Sequence, residues 1–216
     1  MKFLIVKLQG GMQAWGTHTY EDYRPTNLFP TRSGLIGLFG ACLGIDRQDS
    51  STIQSLNKCL VMAIRADKQQ WKPQIITDYH TILDARKVNG TPRNDAILSS
   101  REYICDACFT IAVSLQNCEI KLVDLAQAVR FPFYTPALGR KSCPLYRPLY
   151  ETEIEAHSLE EALSRISPYQ GTIYSDEPID GSFILTIRDV PLPSATREFG
   201  RRNVYVLGQG GTNVPE

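Results

Sequence analysis

Net charge is missing from this chain: 23 Lys and Arg residues balance 23 Asp and Glu across 216 positions. That excludes a protein that holds long duplexes through bulk positive charge, although a local cluster of cations stays open. Long apolar runs are missing as well. The sequence is 43% hydrophobic, enough for a core, yet no stretch approaches the roughly 20 apolar residues of a bilayer span. At the N-terminus, the run Phe3–Val6 is cut by Lys7 and no small-residue cleavage site follows, so it reads as a first strand and not a signal peptide. The cytoplasm is the expected compartment. Catalytic signatures are absent: there is no GxSxG elbow, Walker A motif or dinucleotide fingerprint. The three histidines, His18, His80 and His157, stand in no metal-ligand spacing. The sequence therefore implies no cofactor, no metal, no small-molecule substrate and no enzyme of recognisable mechanics.

Six cysteines are present but scattered, which does not suggest a disulfide framework. Cys105 and Cys108 form a CxxC inside REYICDACFTIAVSL, which alternates like one strand. Residues three apart on a strand face opposite ways, so the pair reads as small buried side chains.

Periodicity predicts a strand over 1–9, then an irregular polar segment, GGMQAWGTHTYEDYRPTNLFPT. A loop of that length usually carries function. In RSGLIGLFGACLGI, Leu35, Leu38, Phe39, Cys42 and Leu43 share a helical stripe, with Ser33 as N-cap and Gly44 as terminator. Gly37, Gly40 and Ala41 form a small-residue face suited to packing on a sheet. A short helix over 51–58 and a strand in CLVMAIRAD follow. Residues 68–100 read as a long β-hairpin excursion, 101–115 as a core strand, and VDLAQAVR as a helix. The order β-α-β-β-α-β is that of a ferredoxin-like domain. From about residue 150 the texture changes: SLEEALSRI carries a capping box at Ser158 and Glu161, and three strands follow. The expected organisation is α+β, with a ferredoxin-like (RRM-related) domain over 1–149 and a small β-rich C-terminal unit over 150–216.

Single-stranded RNA needs cations and amides for phosphates, planes for bases and polar groups for base edges. Three irregular segments supply these. The first holds Gln13, Trp15, Arg24, Thr26, Thr31, Arg32 and Ser33, the last two at a helix N-terminus that favours an anion. The second is the hairpin, with Tyr79, His80, Arg86, Arg93 and Arg101. The third contains Tyr134, Gly139, Arg140 and Lys141. Each has a plainer reading: Trp15 as a core cap under a loop, Arg24 as a surface ion pair, Tyr79 and His80 as strand surface, and Gly139–Lys141 as a turn.

The runs MQAWG and RPTNLFPTRSGLIGLFGACLGIDR resemble the N-terminal motif of the CasD family. TDYHTILDAR, SREYICDACFTIAV and RFPFYTPALGRKSCPLYRPL resemble family segments in the same order. That family comprises the 5′-handle-binding subunits of type I-E CRISPR Cascade complexes, within the repeat-associated RNA-binding superfamily. The resemblance implies a β-hairpin thumb at about 72–100 and a guide RNA whose 5′ handle hooks over the domain. It also implies two protein neighbours, the Cascade backbone subunit and the large PAM-recognising subunit. Two other readings are kept. One is a metal-independent endoribonuclease built on His80 with Tyr79 and Arg86 or Lys87. The other is an assembly subunit without specific RNA contacts, which predicts Arg24, Arg32 and Arg140 buried in internal pairs.

Overall fold

The computed structural model describes residues 1–17, 22–70, 72–85, 90–91, 95–193 and 198–208. In chain order the elements are β1 (Lys2–Gln9), the two-residue pieces β2 (Met12–Gln13) and β3 (Tyr23–Arg24), then α1 (Arg32–Leu43) and α2 (Ser50–Cys59). β4 (Leu60–Asp67), β5 (Gln74–Ile82), β6 (Ile97–Cys105), β7 (Cys108–Leu115) and α3 (Leu122–Arg130) follow. The chain closes with β8 (Tyr150–Glu155), α4 (Leu159–Ser164), β9 (Gly171–Ser175), β10 (Phe183–Pro191) and β11 (Phe199–Leu207). The chain is α+β, with mostly antiparallel sheets and few helices. Among the described residues no helix is long and apolar enough to cross a membrane.

The continuous apolar run of β1 follows from its place, because both of its faces are covered. Leu4, Val6 and Leu8 join α1, Trp15 and Phe109 in the larger core, while Phe3 and Ile5 meet Leu159, Ala162 and Leu163 of α4 in a second one. β1 lies between β7 and β8, and the large sheet runs β10-β11-β9-β4-β7-β1-β8 with antiparallel neighbours throughout. The division expected at 149/150 does not separate two sheets: β8 lies beside β1, and β9–β11 continue the same sheet past β4. Strand pairing across such sequence distances leaves no mark in local texture.

The predicted single strand over 101–115 is two. Asp106, in a left-handed conformation (φ 54°), turns the chain between β6 and β7. β7 enters the large sheet, whereas β6 forms a small one, with β5 along one side and β2 and β3 along the other. Cys105 and Cys108 consequently sit at the ends of different strands. Cys59 and Cys118 are joined as a disulfide, correcting the expectation of isolated cysteines; Cys118 stands in the turn after β7, against the end of α2.

α1 is capped two residues earlier than the sequence suggests. The Thr31 hydroxyl, not Ser33, accepts the Gly34 N–H (3.3 Å), and Gly44 (φ 73°) ends the helix as expected. The small-residue face of α1 does not pack on a sheet. Gly37 is exposed, with no atom within 4 Å of the point where a Cβ would stand, and the nearest at Gly40 is the Ile45 Cβ at 3.9 Å.

Candidate nucleic-acid interface

The open face of α1 forms one wall of a cleft of ≈ 1400 Å³. The 14–17 segment, Arg24, Arg101, Tyr134, Gly139 and Arg140 line the same space, and so do Arg47 and Arg188. Eight of the sixteen residues singled out in the sequence line this space: Trp15, Arg24, Thr31, Ser33, Arg101, Tyr134, Gly139 and Arg140.

These residues divide into posts and free groups. Trp15 is 1% exposed, so it cannot stack on a base. Its Nε1 donates to Gln13 Oε1 (3.0 Å), and Gln13, fully buried, donates through Nε2 to the Ala107 carbonyl (2.7 Å). The Trp15 N–H donates to Thr26 Oγ1 (2.9 Å) and the Thr26 N–H to Glu102 Oε2 (3.0 Å). Gln13, Trp15, Thr26 and Thr31 thus hold the loop to the core. Gly139 (φ 81°) is pressed against this post: a Cβ there would stand 1.9 Å from the Ala14 carbonyl oxygen.

Arg32 is also withdrawn. Its guanidinium donates to Asn57 Oδ1 (2.8 Å), to the Leu60 carbonyl (2.8 Å) and to Asp176 Oδ2 (2.8 Å). Its backbone N–H donates to Asp189 Oδ2 (2.7 Å). The helix N-terminus expected to attract a ligand anion is therefore filled by the chain's own carboxylate. Arg202 completes the network, donating to Asp189 (2.7 and 2.9 Å) and Asp176 (2.6 Å).

The free groups are cations. Arg24 and Arg101 are register partners on β3 and β6. Among the described residues neither has a carboxylate partner, and the buried Nε of Arg101 lacks any acceptor. Burial first, then the neighbouring charges of Arg140 and Arg24, push the Arg101 guanidinium pKa below its ordinary value. Arg140 donates to the Tyr103 hydroxyl, and Ser33 lies half-buried beside them in the cleft. Tyr134, 48% exposed, is an available plane at the rim. Three like charges opening on a cavity make an anion site by simple electrostatics.

A family model for the CRISPR-associated protein Cas5 matches residues 3–205. The chain belongs to the Cas5 family. It is 42% identical to the CRISPR system Cascade subunit CasD of Escherichia coli (strain K12), over 99% of both chains. Its fold is similar to a chain of a CRISPR RNA-guided surveillance complex, with a TM-score of 0.74 and 26% identity over 95% of this chain and 89% of that one. A crystal structure of a Cas protein matches with a TM-score of 0.64 and 25% identity, over 95% and 93%.

In this Cas5 chain the predicted residues of the hairpin other than Arg101, together with Lys141, stand apart from the cleft lining or outside the described residues. Tyr79 is 63% exposed on β5. His80, on the same strand, has Nε2 3.5 Å from the Tyr103 hydroxyl and 3.2 Å from Asp78 Oδ2. Lys141 is exposed on the loop beyond Arg140. Arg86 lies outside the described residues, as do Lys87 and Arg93. Sequence reasoning missed Arg47 and Arg188. Arg47 ends the motif run in the connection between α1 and α2, a usable signal; Arg188 sits on β10, and nothing local distinguishes it.

Proposed function

We propose that this chain is an RNA-binding subunit of a Cascade-type CRISPR surveillance complex, which grips the 5′ handle of the guide RNA without cutting it. The observation that carries the reading is the convergence of Arg24, Arg101 and Arg140, without carboxylate partners among the described residues, on a cleft walled by the open glycine face of α1. Phosphates take the cations, and the exposed Tyr134 ring offers a stacking plane. Gly37, without side chain, lets a sugar or base approach the helix backbone. The names of the similar proteins supply the assembly: a Cascade subunit and an RNA-guided surveillance complex.

The finer fold belongs to the same proposal. The order β4-β7-β1-β8, with helices on the β1–β4 and β7–β8 connections, is what a ferredoxin-like domain requires. The β5–β6 hairpin, inserted between β4 and β7, is the thumb. Ile75, Ile76, Tyr79, Leu83 and Leu98 are exposed on it, an apolar surface suited to the backbone and PAM-recognising subunits. The complex works in the cytoplasm, where guide RNA is found.

Of the three arginines expected to be internally paired in a purely structural subunit, Arg32 is held by a carboxylate and Arg140 by the Tyr103 hydroxyl, while among the described residues neither Arg24 nor Arg140 has a carboxylate partner; that favours RNA contact over the assembly-only reading. The test uses repeat-derived RNA ending in the 5′ handle, without metal, and follows binding and cleavage together. Wild type is expected to bind and leave the RNA uncut. Arg24→Ala with Arg140→Ala loses about 10-fold or more in affinity, and His80→Ala binds like wild type. Cleavage that disappears with His80→Ala would show a nuclease instead.

A further inference from the structure

Like charges placed directly opposite on paired strands weaken the pairing, and Arg24 and Arg101 are so placed. Arg140 adds a third cation from the 131–149 segment, its guanidinium 5.7 Å from the Tyr103 ring centre. Two carboxylates of the small sheet are engaged elsewhere. Asp78 faces Arg101 across the β5–β6 ladder, yet its Oδ2 lies 3.2 Å from His80 Nε2. Glu102 is held by the Tyr23 hydroxyl and the Thr26 N–H. Meanwhile Arg101 Nε is buried with no acceptor. A buried guanidinium donor without a partner costs stability unless something outside the chain supplies the oxygen.

We infer that Arg24, Arg101 and Arg140 form a seat for one phosphate group, and that the empty seat is strained by mutual repulsion which the bound phosphate relieves. The inference rests on the RNA reading for the source of the phosphate, a backbone phosphodiester. The seat chemistry itself would accept inorganic phosphate as well. Guanidinium forks match tetrahedral oxyanions, and three of them arriving from a strand, a neighbouring strand and a loop surround one such group. The lowered pKa of Arg101, with Arg140 and Arg24 among its causes, agrees with this repulsion. Because β6 is a stem strand of the hairpin and β3 its lateral partner, an occupied seat also fixes the hairpin base.

The seat predicts a relation that a structural arginine does not show: removing it stabilises the free protein while weakening the ligand. The experiment melts the full-length chain in sodium chloride and in sodium phosphate of equal ionic strength, for wild type, Arg101→Gln and Arg24→Gln. In chloride both variants are expected to melt no lower than wild type. Phosphate is expected to raise wild type by a few degrees and the variants by less than half as much. The same proteins are titrated with 5′-handle RNA, and each variant is expected to lose about 10- to 100-fold in affinity. A variant that melts below wild type in chloride, or fails to fold, overturns the inference, and so does an equal phosphate gain in all three. If the phosphate response follows expectation but wild type holds no RNA, the seat stands and the RNA reading falls. If RNA is held but the phosphate response is equal in all, the seat falls and the RNA reading stands.

Discussion

Trp15 and Arg32 show how a residue type that suits RNA can serve the fold instead. An indole on a Gly-rich loop has the chemistry of a stacking platform, but here Trp15 is joined to Gln13 by a buried hydrogen bond and lies against Gly34 and Gly139. Trp15→Phe keeps most of the apolar bulk and removes the Nε1 donor, leaving Gln13 Oε1 buried without a partner. That is expected to cost about 1–3 kcal/mol in denaturant unfolding. The salt dependence of RNA binding should stay as in wild type, because no phosphate contact is lost. A changed salt slope with unchanged stability would return Trp15 to the ligand site.

At the scale of elements, the clamp between α1 and the C-terminal strands decides the shape of the cleft. Arg202 of β11 donates to Asp189 of β10 and to Asp176 after β9, and Arg32 at the start of α1 donates to Asp176. Asp189 is 3% exposed. Arg202→Met leaves the buried Asp189 without a cation while Asp176 keeps Arg32, and breaking such a buried pair costs about 3–5 kcal/mol. Chemical denaturation should report that loss. Amide exchange should show faster opening in β10 and β11 before the β1–β7 centre of the sheet. Uniform exchange across the sheet would mean that the clamp merely adds to global stability. Arg188 and Asp189 also line the cleft, so the loosened variant should bind RNA more weakly as well.

For the whole molecule, a formal net charge of zero coexists with a cluster of arginines at the cleft, and among the described residues three carboxylates that line the cleft are engaged internally. Asp189 serves Arg32 and Arg202, Glu102 serves Tyr23 and Thr26, and Asp46 accepts the Gln48 N–H (2.7 Å). Weak long-range attraction and strong local contacts follow. Handle RNA binding by the isolated chain should show a log–log salt slope of about −0.7, from the one phosphate seated by the three arginines on a single strand. A slope several times steeper, measured by fluorescence anisotropy across a salt series, would indicate a footprint far wider than this cleft.

Local chemistry wrote several parts of this protein into the sequence. The apolar run of β1, the α1 stripe with its Gly44 stop, the Ser158–Glu161 box of α4, and the arginines and glycines gathered in irregular segments all depend on neighbours within a few residues. That reading named eight of the residues that line the cleft and missed Arg47 and Arg188, and it did not separate free groups from posts. Whether an arginine is free or spent depends on carboxylates 144 and 157 positions away, as for Arg32 with Asp176 and Asp189. The break at Asp106, the burial of Trp15, the open face of α1 and the joining of β9–β11 to the sheet rest on equally distant pairings. Periodicity records which face of an element is apolar; only the folded chain decides what covers it and which charges are left without a partner.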